Sequence, residues 1–162
     1  MSVLEVQDLT VEYVSDERSV RGADRVSFSI EQGEILGLAG ESGCGKSTCA
    51  NAIMRLLKEP ARITGGSIRF DGHDVLDMDA ARLRQWRWRE VAMVFQSAMS
   101  SLNPVMRIGD QLVDTLRAHE RISKADAWRR AGELLAMVRI DADRLRAYPH
   151  QLSGGQRQRA MI

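Results

Sequence analysis

The residues best suited to chemistry lie together near position 45, in a stretch rich in glycine. The pattern G-x-x-x-x-G-K-[ST] runs from Gly40 to Thr48. Small residues let the backbone curl, so that successive N–H groups point inward and form a nest for phosphate oxygens. Lys46 can then reach the β- and γ-phosphates of a nucleotide, and the Ser47 hydroxyl can ligate Mg²⁺. The stretch therefore predicts a loop that binds the phosphates of a nucleotide.

Two elements must hold this loop in place. The apolar run at residues 34–39 before it predicts a buried strand, and residues 49–57 after it predict a helix. The N-terminus of that helix directs the positive end of its dipole at the bound anion. A second apolar run, at residues 91–95, predicts another buried strand that ends at Gln96. A glycine-rich turn that binds nothing is disfavoured, because strand and helix lie where the motif needs them.

Composition limits the remaining classes of protein. The chain has 162 residues, of which 44% are hydrophobic, and this suits one domain with a real core. A net charge of +1 gives no global field that would recruit nucleic acid or anionic lipid. The apolar runs are shorter than the ~18 residues that span a bilayer, so we expect a soluble, cytoplasmic chain. Cys44 and Cys49 are too few and too close together for a disulfide framework.

Local patterns place the other elements. Residues 2–13 alternate loosely, and Val26, Phe28 and Ile30 alternate cleanly with polar residues, which predicts two strands separated by a loop or hairpin end at 14–24. Residues 67–70 predict a short strand closed by an Asp-Gly turn.

Three helices are also predicted. Residues 80–89 form a basic helix, for which a solvated face with snorkelling arginines is favoured over nucleic-acid binding. A second helix covers residues 107–120, and a capping box at Ser123 and Asp126 opens a third.

A second motif, Leu152-Ser153-Gly154-Gly155-Gln156, opens another helix near the end of the chain. Alone, it could be a helix cap in which Ser153 is the N-cap residue. Together with the phosphate-binding loop, it resembles the signature of the nucleotide-binding subunits of ATP-binding cassette (ABC) transporters, and the match of the pentapeptide is complete. The resemblance extends over nearly the whole chain.

The resemblance implies an α/β fold of the P-loop NTPase class, the ABC cassette. It has an N-terminal antiparallel β region (1–33 and 61–76), a P-loop core with a parallel sheet (34–58 and 90–96, incomplete here) and an inserted α-helical subdomain (97–153). Residues 154–162 would form the first part of the signature helix.

The resemblance also implies roles for individual residues, with ATP and Mg²⁺ as cofactors. Lys46 and Gln96 are the implied catalytic residues, and Ser47 and Gln96 the implied Mg²⁺ ligands. Tyr13 matches the aromatic residue that stacks on adenine, a contact that an aromatic ring face can provide. His150 does not match the switch histidine of the family. The nucleotide ligands implied in this chain are Tyr13, Gly40, Glu41, Ser42, Gly43, Cys44, Gly45, Lys46, Ser47 and Thr48. Those implied to act on the nucleotide of a partner cassette are Ser153, Gly154, Gly155 and Gln156.

A narrower resemblance concerns residues 95–104 and 148–151, which look like those of bacterial importers of dipeptides, oligopeptides and nickel. Peptide uptake is the implied function, with nickel or another small solute as the alternative. The implied partners are a second cassette, identical or related, transmembrane permease subunits and, indirectly, a solute-binding protein, without nucleic acid. The implied location is the cytoplasmic face of the inner or plasma membrane, where permease subunits hold the chain.

The sequence departs from the family in one respect. The family's Walker B acidic residues and switch histidine follow the signature helix, and this sequence ends at Ile162 inside that helix. We therefore expect part of a transporter ATPase that does not turn over ATP alone, and whose strand at 34–39 lacks neighbours. A non-hydrolytic nucleotide-binding or regulatory module remains the alternative. A soluble cassette ATPase acting on DNA or ribosomes is disfavoured, because the Cys-x-x-Cys zinc modules of the DNA-repair relatives do not occur here.

Overall fold

The computed structural model describes residues 2–15, 18–95 and 101–162. It divides into two compact units, Met1–Arg87 and Trp88–Ile162. Gln96, predicted as a catalytic residue and Mg²⁺ ligand, lies outside the described residues. Within them, no helix is long and apolar enough to cross a bilayer.

The first unit is built on a four-stranded antiparallel sheet with the strand order β2-β1-β3-β4. Its strands are β1 (Ser2–Val14), β2 (Ser19–Glu31), β3 (Ala61–Phe70) and β4 (His73–Asp74). Alternation decides which face of the sheet is buried. The fully buried side chains of this unit include Val6, Leu9, Val11, Ile68 and Trp86.

Two helices accompany the sheet. Helix α1 (Lys46–Ile53) contacts β1 and β2, and α2 (Ala80–Arg89) has the bounds predicted from the sequence. The ring of Trp86 on α2 lies edge-on to Phe70, with the ring centroids 5.6 Å apart.

Arg87 differs from the predicted solvated face, because its side chain is partly buried. Its guanidinium donates from Nε to the Met54 carbonyl (2.9 Å) and from Nη2 to the Arg55 carbonyl (2.5 Å). These carbonyls follow the last turn of α1, where carbonyls have no partner within the helix. Burial, and then the nearby charge of Arg55, lower the pKa of Arg87. Arg87 therefore anchors the C-terminal end of α1.

The second unit is helical. Its described elements include α3 (Ile108–His119), α4 (Lys124–Met137), the 3₁₀ helices Ala142–Arg146 and Pro149–Gln151, and α5 (Gly154–Ala160). The predicted N-cap at Ser123 is confirmed, since its hydroxyl accepts from the Asp126 N–H at 3.1 Å. The predicted capping box is only half formed, because the Asp126 carboxylate accepts from the Ser123 hydroxyl at 2.6 Å. The core of this unit consists of Ile108, Val113, Leu116, Ala127, Ala131, Leu135, Ile140, Leu145, Ala147 and Leu152.

Four local predictions differ from the structure. The loop predicted at 14–24 is shorter, because β2 already begins at Ser19 and pairs Val20 with Tyr13. Residues 34–39 and 91–95, predicted as buried strands, form no strand, and Ile35 is 96% exposed. A strand needs a neighbour to satisfy its N–H and C=O groups, and no described strand pairs with either segment. The helix after the loop spans 46–53 rather than 49–57.

Candidate functional site

The glycine-rich stretch forms a tight loop that ends at the start of α1. Gly43 and Gly45 adopt φ angles of 84° and 97°, in the left-handed region that glycine enters without steric cost. Gly45 is the N-cap residue of α1. A Cβ atom built at Gly45 would clash with the backbone carbonyl oxygen of Gly22. The loop therefore lies directly against β2, and only glycine fits at position 45.

The side chain of Lys46 turns back into this loop. Its Nζ atom donates to the carbonyl oxygens of Gly40 (2.7 Å) and Glu41 (2.6 Å) and lies 3.3 Å from the Cys44 sulfur. An ammonium group has three donors, and these contacts engage all of them. An incoming phosphate would replace these neutral acceptors with charged ones, and the attraction between the ammonium and the anion would favour that exchange.

Tyr13 lies beside the loop at the end of β1. Its hydroxyl oxygen is 3.0 Å from the hydroxyl oxygen of Thr48, in the first turn of α1. The structure thus brings together the aromatic residue and the loop, which lie more than 25 residues apart in the sequence. Between them is an open cavity of about 330 Å³, within the range of roughly 300–1,000 Å³ typical of ligand sites. The residues that line it are Tyr13, Val20, Arg21, Gly22, Gly43, Gly45, Lys46, Ser47 and Thr48.

Three of these residues, Val20, Arg21 and Gly22, were missed by sequence reasoning because they fall in the segment predicted as a loop. The guanidinium of Arg21 is 3.1 Å from the carboxylate of Asp24 and 3.6 Å from that of Glu12. These two carboxylates offset its charge, so Lys46 remains the cation best placed to attract phosphate. The pairing of Val20 with Tyr13 shows that β2 begins inside that segment. The polar residues between Val14 and Ser19 were the available sequence signal for a hairpin.

The described residues fit Mg²⁺ only together with a nucleotide. They contain no group of three or more His, Cys, Asp or Glu side chains that could hold a metal ion. Ser47 is exposed at the wall of the cavity, where its hydroxyl can supply one oxygen ligand. Mg²⁺ commonly uses few protein oxygens together with substrate phosphates and water, and this site fits that mode.

The two cysteines have different surroundings. Cys44 is exposed in the loop, whereas Cys49 is buried in α1. Burial, and then the proximity of Cys44, raise the pKa of the Cys49 thiol. Cys49 is therefore a packing residue, and Cys44 is the accessible thiol.

The second motif lies in the helical unit, at the start of α5. The Ser153 hydroxyl accepts from the Gln156 N–H at 3.3 Å, and the Gln156 side-chain oxygen accepts from the Ser153 N–H at 2.9 Å. This reciprocal pair is a capping box. Ser153, Gly154 and Gly155 are exposed. The ring of His150 stacks on that of Tyr148, with the centroids 5.8 Å apart.

A glycine loop that curls around the lysine at a helix N-terminus, with an aromatic wall beside it, defines the class of P-loop nucleotide-binding proteins. The family follows from comparison with known proteins. The family model described as "ABC transporter" matches residues 23–162, so the chain belongs to the ABC transporter family. The predicted family is confirmed.

Curated relatives with peptide-transport names resemble the chain over its full length. It is 44% identical over 164 residues to "Probable peptide ABC transporter ATP-binding protein y4tR" of Sinorhizobium fredii, covering 99% of this chain and 49% of that protein. It is 41% identical over 163 residues to the oligopeptide transport ATP-binding protein OppD of Escherichia coli, covering 99% and 48%. The chain thus spans about half the length of the curated relatives that it matches.

A solved structure confirms the cassette fold. The dimeric bacterial ABC transporter cassette MJ0796 superposes with a TM-score of 0.81 at 30% identity, covering 98% of this chain and 67% of that one. A second structure of the same cassette, described as a post-hydrolysis state bound to ADP and Pi, gives a TM-score of 0.80.

Proposed function

We propose that this chain is the ATP-binding part of an ABC importer subunit for dipeptides or oligopeptides. The observation that carries the proposal is the P-loop itself, where the Lys46 ammonium lies inside a glycine loop at the start of α1. The peptide-transport names of relatives that are 41–44% identical support peptides as the transported substrate.

ATP would bind in the cavity of the first unit. Its phosphates would accept hydrogen bonds from the N–H groups of the loop and from the Lys46 ammonium, and its base would stack on the Tyr13 ring. The Ser47 hydroxyl would help to hold Mg²⁺, which would supply positive charge to offset that of the phosphates. Gln96 is proposed as a further Mg²⁺ contact and as the group next to the attacking water.

The signature motif would act on a second cassette, which we propose pairs head to tail with this one. The Ser153 hydroxyl and the N–H groups of Gly154 and Gly155 are exposed and would face the γ-phosphate bound by the partner. Gln156 holds the motif through its capping bond to Ser153. ATP would then hold the two cassettes together, and hydrolysis would release them. The dimeric structure of the related cassette supports the pairing of two cassettes.

The deciding experiment is calorimetric measurement of MgATP binding to the 162-residue chain. Lys46→Ala removes charge-assisted hydrogen bonds worth about 1.5–3 kcal/mol. We expect affinity to fall roughly 10- to 150-fold. Lys58→Ala is the matched control, because Lys58 is exposed at the end of a loop outside the cavity, and its affinity should equal that of the unmodified chain.

Circular dichroism of each variant separates loss of binding from loss of folding. Equal ATP affinity of folded Lys46→Ala and Lys58→Ala chains would contradict the proposal.

We also propose that this chain does not hydrolyse ATP alone. Phosphoryl transfer needs charge stabilisation by metal ligands and a group that orients the attacking water, and the sequence offers no apolar run ending in two acidic residues. Phosphate release by the purified chain should equal that of Lys46→Ala. Lys46-dependent phosphate release would refute this part of the proposal.

The proposed partners are permease subunits, which would hold the chain at the cytoplasmic face of the membrane. A tagged chain extracted in mild detergent should co-purify with permease subunits, and recovery with DNA or ribosomes would contradict the transporter assignment. Cells that lack the gene should lose uptake of a labelled dipeptide and retain uptake of Ni²⁺. The reverse result would support the nickel alternative.

A further inference from the structure

The side chain of Tyr13 is held at two points. Its hydroxyl oxygen lies 3.0 Å from that of Thr48, which belongs to the first turn of α1. Its ring lies against Gly22 on β2, where a built Cβ atom would come within 2.5 Å of Tyr13 Cε2 and 3.1 Å of Thr48 Cγ2. The ring therefore lies between a strand that lacks a side chain at that point and the helix that follows the P-loop.

These contacts matter because the backbone of Tyr13 is paired with β2 and β3, whereas its side chain is partly exposed. It is the second-last residue of β1 and is 39% exposed. A ring at such a position loses rotamer freedom when a ligand stacks on it, and that loss weakens binding. A hydrogen bond formed before the ligand arrives removes part of this cost.

We propose that Thr48 is a positioning residue for base recognition. Its hydroxyl holds the Tyr13 ring in the orientation on which adenine stacks and so links the base end of the site to the phosphate end through α1. The inference rests on the proposed function, since it requires that ATP occupies the cavity. It predicts that Thr48 contributes to the affinity for ATP through Tyr13, separately from any contact with phosphate.

A double-mutant cycle tests this coupling, with two ligands as probes. Binding of MgATP and of Mg²⁺ with inorganic triphosphate is measured for the unmodified chain, Tyr13→Phe, Thr48→Val and the double variant. Each single substitution removes one partner of the hydrogen bond and keeps the shape of the side chain. Each should lower ATP affinity about 2- to 10-fold, the range of one net hydrogen bond.

The ligand comparison separates positioning from phosphate binding. Triphosphate has no base, so Tyr13→Phe should leave its affinity unchanged, and Thr48→Val should lower it less than it lowers ATP affinity. The double variant should bind ATP no more weakly than the weaker single variant, because both substitutions remove the same interaction. Thr48→Ser keeps the hydroxyl and should restore most of the ATP affinity.

Matched controls exist in the helical unit. Thr115→Val removes a hydroxyl that donates to the Gln111 carbonyl within α3, and Tyr148→Phe removes a hydroxyl outside the cavity. Neither should change the affinity for either ligand. Circular dichroism checks that every variant is folded.

Two results would overturn the inference while leaving the proposed function intact. In one, the losses of ATP affinity caused by the two single substitutions add up in the double variant. In the other, Thr48→Val lowers the affinities for ATP and for triphosphate equally. If the unmodified chain binds neither ligand in a Lys46-dependent manner, the proposed function fails and the inference fails with it.

Discussion

Replacing Gly45 with alanine tests how closely the P-loop lies against β2. The substitution introduces two separate costs. Alanine must adopt a φ angle of 97°, and its Cβ atom must displace the carbonyl of Gly22. Gly43 provides the matched comparison, because its φ angle is 84° but a built Cβ atom would meet nothing within 4 Å. The difference between the two variants therefore isolates the steric contact.

The magnitudes follow from the geometry. A left-handed conformation costs a non-glycine residue about 1–2 kcal/mol. Replacing glycine also reduces the entropy of the unfolded chain, which stabilises the fold by about 0.4–1 kcal/mol. Gly43→Ala should thus lower the free energy of unfolding by roughly 1 kcal/mol. Overpacking against a backbone atom adds about 1–3 kcal/mol, so Gly45→Ala should lower it by roughly 2–4 kcal/mol.

The assay is urea unfolding followed by circular dichroism without nucleotide, so that phosphate contacts play no part. Gly37→Ala serves as a third variant, since its built Cβ atom meets nothing within 4 Å and its φ angle is not positive. It should be neutral or more stable by about 0.4–1 kcal/mol. Equal stability of Gly45→Ala and Gly43→Ala would refute the inferred contact between the P-loop and β2.

Two further predictions concern titratable groups. The Ser123 hydroxyl, and to a lesser extent Arg129, lower the pKa of Asp126 below its ordinary value. A lowered pKa in the folded state stabilises the fold above about pH 4 and is lost as the pH falls through the folded-state pKa. Thermal melts from pH 6 to pH 2.5 should therefore show less acid destabilisation in Asp126→Asn, and parallel pH profiles would contradict this. In the folded chain, a thiol reagent at pH 8 should modify exposed Cys44 quickly and Cys49 slowly, because burial raises the pKa of the latter. Cys44→Ser should retain only the slow phase, and a fast phase in that variant would show that α1 opens readily.

The parts of the fold that depend on residues close together in the sequence could be predicted. The N-cap of α4, the apolar faces of α3 and α4, and the alternation of Val26, Phe28 and Ile30 each depend on residues close together in the sequence. Residues 34–39 show where such reasoning fails. An apolar run indicates a preference for burial but does not supply the strand that must pair with it, and no described strand does so.

The residues of the candidate site likewise fall into those that could be predicted from the sequence and those that could not. The P-loop could be predicted because its function depends on consecutive residues. Gly22 could not, because its role depends on the pairing of β1 with β2, which places it against both Tyr13 and the loop. The beginning of β2 is polar, and its pairing is supported by Arg21 lying 3.6 Å from Glu12 on β1. Which residues of β1 and β2 lie next to one another depends on the register of the two strands, and that register depends on the position of the turn between them.

Helix α1 connects the two ends of the proposed nucleotide site. Its first residue, Lys46, points into the loop, and its third, Thr48, contacts Tyr13 at the other end of the cavity. Arg87 fixes the opposite end of the helix through the carbonyls of Met54 and Arg55. Lys46 and Thr48 lie within one turn of a helix that is held near both ends, by the contact of Gly45 with β2 and by Arg87. A displacement of α1 would therefore move the phosphate and base contacts together, so substitutions that loosen this helix should weaken binding of ATP and of triphosphate alike, whereas loss of the Tyr13–Thr48 contact should weaken ATP more.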